Sequence, residues 1–80
     1  MPKVTLYTRA GCHLCDEARQ VLESARRKAS FVLDVVDIDQ QLEFRPLYTN
    51  EVPVITIDGV KAFKYKVSMA EFLKKLAARS

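Results

Sequence analysis

The sequence predicts an α/β fold with the element order β-α-β-α-β-β-α. Three observations carry this. Apolar and polar residues alternate over Lys3 to Thr8, apolar residues recur at helical spacing from His13, and Asp58-Gly59 separates two strand-like runs. A helix between the first two strands makes a crossover long enough to lay them parallel, whereas the two-residue turn dictates an antiparallel hairpin.

Taken in order, Val4 and Leu6 alternate with Thr5 and Tyr7 in a first strand rich in β-branched residues, which Gly11 interrupts. From His13 to about Lys28, Leu14, Ala18, Val21, Leu22 and Ala25 form one apolar stripe. Asp16 and Glu17 stand near its start and Arg26, Arg27 and Lys28 at its end, as the helix dipole favours. Phe31 to Asp39 reads as the second strand, with Asp37 and Asp39 closing it. Leu42, Leu47 and Tyr48 suggest a short helix within Gln40 to Asn50, kinked by Pro46. Val54 to Asp58 reads as a buried strand and Val60 to Lys66 as its returning partner, with Lys64 and Lys66 guarding an exposed edge or, as the lesser reading, recruiting an acidic partner. Ser68-Met69-Ala70-Glu71 is a capping box for a last helix striped by Met69, Phe72, Leu73 and Leu76.

Eighty residues make one domain, 1–80, and 49% hydrophobic with 29% charged residues describe an ordinary globule. The net charge of +3 is spread along the chain, with no basic run longer than Arg26-Arg27-Lys28. Nucleic-acid binding is therefore not expected, since it calls for a denser basic face. Phe31 to Ile38, the longest mostly apolar stretch, is broken by Asp34 and Asp37 and is too short to cross a bilayer. The opening residues lead straight into the first strand without a signal-like apolar core, so the expectation is a cytoplasmic, reducing setting.

Both cysteines lie in Thr8-Arg9-Ala10-Gly11-Cys12-His13-Leu14-Cys15, where the first strand hands over to the helix. Thiols attack disulfides as thiolates, and a free cysteine of pKa near 8.5 is only about 3% ionised at pH 7. The mouth of a helix, where backbone N–H groups lack partners, favours negative charge on Cys12. Arg9 and a protonated His13 would add to that field, and Asp16 and Glu17 would oppose it. Cys15, one turn further on, is placed to displace whatever Cys12 captures. Three other uses of the pair are weaker. A structural disulfide would close too small a loop to restrain the unfolded chain. Zinc needs four ligands against two Cys and one wedged His. Haem attachment wants His where Asp16 stands.

At these residues the chain resembles a glutaredoxin-like member of the thioredoxin superfamily. Leu6 to Cys15, Val36-Asp37-Ile38-Asp39 and Val52-Pro53-Val54-Ile55-Thr56-Ile57-Asp58-Gly59 carry the likeness in the family's order. The resemblance implies a thioredoxin-like, four-stranded mixed sheet flanked by helices, with the Val52-Pro53 bond cis and facing the thiols. It implies catalysis by Cys12 and Cys15, and substrate contacts from Arg9, His13, Leu14, Val52 and Pro53. Two departures bear on the reductant. Glu51 stands where glutathione-dependent relatives commonly have Thr, and Phe63 to Ser68 lacks their Gly-Gly pair with following acidic residues. Half of the glutathione site is therefore missing or rebuilt.

The sequence thus points to a thiol-disulfide oxidoreductase that works through a mixed disulfide on Cys12, resolved by Cys15. Its expected partners are a disulfide-containing protein or a glutathione mixed disulfide, and a thiol reductant or reductase. A monomer without metal or resident cofactor is expected, with glutathione as a candidate reductant or substrate and no membrane partner. The rivals are a metal or iron-sulfur carrier that shares thiolates across a dimer, and a redox-inert binding module.

Overall fold

The computed structural model describes residues 1–40 and 52–79. Its elements are β1 (Lys3–Thr8), α1 (His13–Ala25), β2 (Val32–Asp37), β3 (Val54–Ile57), β4 (Val60–Lys64) and α2 (Met69–Arg79). The helix expected within Gln40 to Asn50 falls outside the described residues from position 41 onward. The strands form one mixed sheet in the order β2-β1-β3-β4. β1 runs parallel to β2, with Thr8 opposite Asp37, and antiparallel to β3, with Leu6 opposite Ile55.

The central strands carry the core. Val4 and Leu6 on β1 and Ile55 and Ile57 on β3 share one face and are almost wholly buried. Against them pack Ala18, Leu22 and Ala25 of α1 and Phe72 and Leu76 of α2, so both described helices cover the same face. Ser68 starts α2 as its sequence foretold, its Oγ accepting the Glu71 N–H at 3.2 Å. The Asp58-Gly59 turn has positive φ at both residues, 51° and 84°, the geometry that joins twisted antiparallel strands most directly. Asp58 also clasps β1: its Oδ1 accepts from the Lys3 N–H at 2.9 Å, and its own N–H donates to the Lys3 carbonyl at 2.8 Å.

Three boundaries differ from the sequence reading by more than one residue, each where the chain closes a tight turn that the periodicity did not mark. Helix α1 ends at Ala25, not Lys28. The chain then tightens through Arg27 to Ser24 and Lys28 to Ala25 bonds, and this returns Phe31 to the core. The basic triplet consequently lies beyond the helix. Strand β2 stops at Asp37, whose carboxylate accepts the Asp39 N–H at 2.9 Å and whose carbonyl accepts the Gln40 N–H at 3.0 Å. Strand β4 stops at Lys64, because Tyr65 turns to φ 68° and the Lys66 N–H bonds back to the Lys64 carbonyl at 2.8 Å. This is a γ-turn, and it removes Lys66 from the strand where the sequence put it.

Phe72 is fully buried and meets Phe31 edge-on, with ring centroids 5.4 Å apart. Truncating it to Ala removes a large ring from between the sheet and both helices. The expected loss is about 3–5 kcal/mol, read as a lower urea midpoint of the reduced protein. Val32→Ala, on the exposed edge strand, should shift stability by no more than roughly 0.5 kcal/mol.

Candidate active site

The turn between β1 and α1 is built so that a cysteine begins the helix. Thr8 ends β1 and is locked in register, its carbonyl accepting the Ile38 N–H at 2.9 Å. Gly11 then takes φ 76°, a conformation unfavourable for residues with a Cβ. Nothing lies within 4 Å of where a Cβ would stand, so backbone conformation alone calls for glycine here. Cys12 follows in extended geometry, φ −96° and ψ 109°, as the N-cap of α1. Its Sγ accepts the Cys15 N–H at 3.2 Å and its carbonyl accepts the Asp16 N–H at 3.2 Å. A sulfur thus does the work that a Ser or Asp oxygen usually does at a helix start.

The two thiols, both free, sit in contrasting surroundings. Cys12 is half-buried with its sulfur at the surface end of the helix, while Cys15 is 1% exposed, behind the first turn. Burial pushes the Cys15 thiol above its ordinary value of 9.0, and its hydrogen bond and charge interaction with Cys12 push the same way. The Thr8 side chain and the Arg9 backbone amide oppose them. Thr8 was not singled out from sequence. Its signal was available in principle, because the last residue of a strand feeding such a helix abuts the helix's first turn.

The remaining expected site residues divide into groups. Leu14, half-buried, lines a cavity of about 140 Å³ between α1 and the turn after β4, together with Val21, Tyr65, Lys66 and Val67. His13 is the first helical residue and is exposed. Val52 is half-buried and Pro53 buried, joined by a cis bond as the resemblance implied. The next residue, Val54, pairs with Tyr7, so Pro53 stands at the sheet end from which the cysteine loop springs.

Arg9 turns toward Asp39, its Nε 3.3 Å from Oδ2 and its terminal nitrogen 3.3 Å from Oδ1. Asp39 was read from sequence only as a strand-end residue. Parallel pairing of β1 and β2 leaves both chain exits at one end of the sheet, and that brings together residues 30 positions apart. Tyr65 was also missed, because nothing local marks a tyrosine for positive φ. Its N–H donates to the Pro53 carbonyl at 2.8 Å. Among the described residues, no three His, Cys, Asp or Glu side chains gather as a metal-ligand group. No helix there is long and apolar enough to cross a membrane.

Comparison with known proteins agrees with this arrangement. Residues 3–77 match the glutaredoxin-like domain family (DUF836). The chain is 29% identical over 70 residues to the glutaredoxin-like protein YDR286C homolog of Dictyostelium discoideum, covering 80% of this chain but only 65% of that protein's length. Protein XcR50 of X. campestris is 31% identical and superposes with a TM-score of 0.74 over 94% of this chain and 96% of its own. A thioredoxin from Halobacterium salinarum NRC-1, 13% identical, superposes at 0.75 over 96% of this chain and 73% of its own, which establishes the shared fold. With its cysteine pair at the N-terminus of α1 and its cis proline opening β3, the chain has a thioredoxin fold and belongs to the glutaredoxin-like domain family.

Proposed function

We propose that this protein is a thiol-disulfide oxidoreductase in which Cys12 attacks and Cys15 resolves. The observation that carries the reading is the asymmetry of the pair. One cysteine caps the helix, half-buried and with its sulfur hydrogen-bonded to a backbone amide, and the other is 1% exposed a turn behind it. The bond from the Cys15 N–H fixes the Cys12 sulfur at the mouth of the helix, where an incoming disulfide can align with it.

In the first step the Cys12 thiolate attacks one sulfur of a substrate disulfide. A new bond to Cys12 Sγ forms, the substrate disulfide breaks, and its other half leaves as a thiolate that takes a proton from solvent. Cys15 then gives up its proton and attacks Cys12 Sγ, expelling the remaining substrate thiolate. The protein dithiol is oxidised by two electrons to the Cys12–Cys15 disulfide, and the substrate is reduced to two thiols. A thiol reductant such as glutathione, or a reductase, returns the two electrons. The raised Cys15 value suits the first step, since a thiol kept protonated does not compete with Cys12 for substrate.

Val52 and Pro53 would receive the extended substrate backbone, with Leu14 flanking the reacting sulfurs. Arg9, engaged with Asp39, would hold the loop that sets Cys12. A reducing cytosol is the proposed setting, where a dithiol of this kind stays available for turnover.

Reduction of insulin disulfides should fall below detection in Cys12→Ser, whereas Cys15→Ser should accumulate a mixed disulfide visible as a mass adduct. Cys12 should also alkylate faster than free cysteine at neutral pH. Turnover by Cys12→Ser, or alkylation no faster than the free amino acid, would refute the assignment. A second expectation concerns stability. The native protein favours the protonated Cys15 thiol. The resulting stabilisation is complete below pH 9.0 and is lost as pH rises through the higher native value. The urea midpoint of the reduced protein, compared with Cys15→Ala, should therefore lose part of its advantage between pH 7 and about pH 10.

A further inference from the structure

The basic residues are unevenly placed. Positions 59 to 80 hold six Lys or Arg against one acidic residue, leaving seven against nine for the rest of the chain. Lys61, Lys64, Lys66, Lys74 and Lys75 are all exposed, on the edge strand β4, the turn after it and α2. Lys75 lies over this region, its Nζ donating to the Ala62 carbonyl at 3.0 Å and standing 4.8 Å from the Phe63 ring centre.

The turn at the end of β4 adjoins Pro53, at the end of the sheet from which the cysteine loop springs. Tyr65 holds φ 68°, where a β-carbon is disfavoured, yet the residue is 43% exposed and stands outside the core cluster. Its N–H is fastened to the Pro53 carbonyl, and Lys64 Nζ lies 5.6 Å from its ring centre. Tyr65 and Lys66 line the same cavity as Leu14, one of the two residues between the cysteines. A strained, exposed aromatic between two lysines, tied to the cis proline, is what a contact surface for substrate looks like.

We infer that the Lys64-Tyr65-Lys66 turn docks an acidic protein segment that carries the substrate disulfide. Carboxylates flanking the substrate cysteine meet Lys64 and Lys66, and the Tyr65 ring covers the extended chain as its sulfur reaches Cys12. The inference rests on the oxidoreductase reading and names its substrate class. Exposed charges of this kind act mainly on encounter, so the preference weakens as salt screens it.

The test compares three disulfide-linked peptides that differ only in the residues flanking cysteine: Glu, Gln or Lys. At low salt kcat/KM should rank Glu above Gln above Lys, and the spread should narrow in 0.5 M salt. Lys64→Glu/Lys66→Glu should lower kcat/KM for the Glu peptide about tenfold, the scale of two exposed ion pairs, and reverse the ranking. Lys64→Gln/Lys66→Gln should abolish the ranking. Arg27→Glu/Lys28→Glu makes the same change in net charge about 20 Å away at the far end of α1, and should leave the ranking intact. Tyr65→Gly, which tolerates the left-handed turn, should raise KM for the Glu peptide several-fold.

Equal rates for the three peptides with the unaltered protein would overturn the docking surface and leave the oxidoreductase intact. So would the same loss from the remote pair, or a loss confined to glutathione disulfide. Reduction of none of the peptides would instead overturn the underlying reading.

Discussion

The bond from the Cys15 N–H to Cys12 Sγ joins folding to chemistry in this protein. A helix must satisfy the amides of its first turn, and here a thiol serves where an oxygen would ordinarily be used. The same bond fixes where the Cys12 sulfur stands at the mouth of α1. The bond exists only because Gly11 swings the chain through φ 76° and delivers Cys12 in extended geometry. Its partner, Cys15, is placed by the same turn, one residue set facing solvent and the next facing the core.

Around that bond the sheet supplies two braces. On one side the exits of β1 and β2 are held together by Arg9 and Asp39, with the Asp37 carboxylate bonding the Asp39 amide. On the other, β3 opens with buried Pro53, whose carbonyl receives the Tyr65 amide and so carries the end of β4 toward α1. Neither brace belongs to the cysteine loop, yet both act on its surroundings. The core beneath them, Leu6, Ile55, Leu22 and Phe72, is the platform from which the loop projects.

The two edges of the sheet differ in character. β2 leaves Val32 and Val35 partly exposed, while β4 carries lysines, a bulge opposite the Ile55 to Thr56 step, and a γ-turn at its end. Lysines and irregular pairing both discourage another strand from adding to an edge, so β4 is protected against association along its backbone. The same features present positive charge and an exposed tyrosine at the end of the sheet from which the cysteine loop springs. Protection of the edge and recognition at its end are compatible uses of one surface.

Sequence alone was sufficient wherever the determining contact is short in range. The alternation in β1, the apolar stripe from His13, the Asp58-Gly59 turn and the Ser68 cap involve neighbours within a few residues, and each formed as its residues require. The Cys-x-x-Cys spacing likewise placed Cys12 at the mouth of α1 and Cys15 in its first turn. Tertiary structure decided the rest. Strand register paired Arg9 with Asp39, return of Phe31 to the core ended α1 at Ala25, and the Pro53 carbonyl bound the Tyr65 amide where β4 gives way at Lys64. Those outcomes depend on where distant backbone segments come to lie, and a local pattern carries no record of a partner tens of residues away.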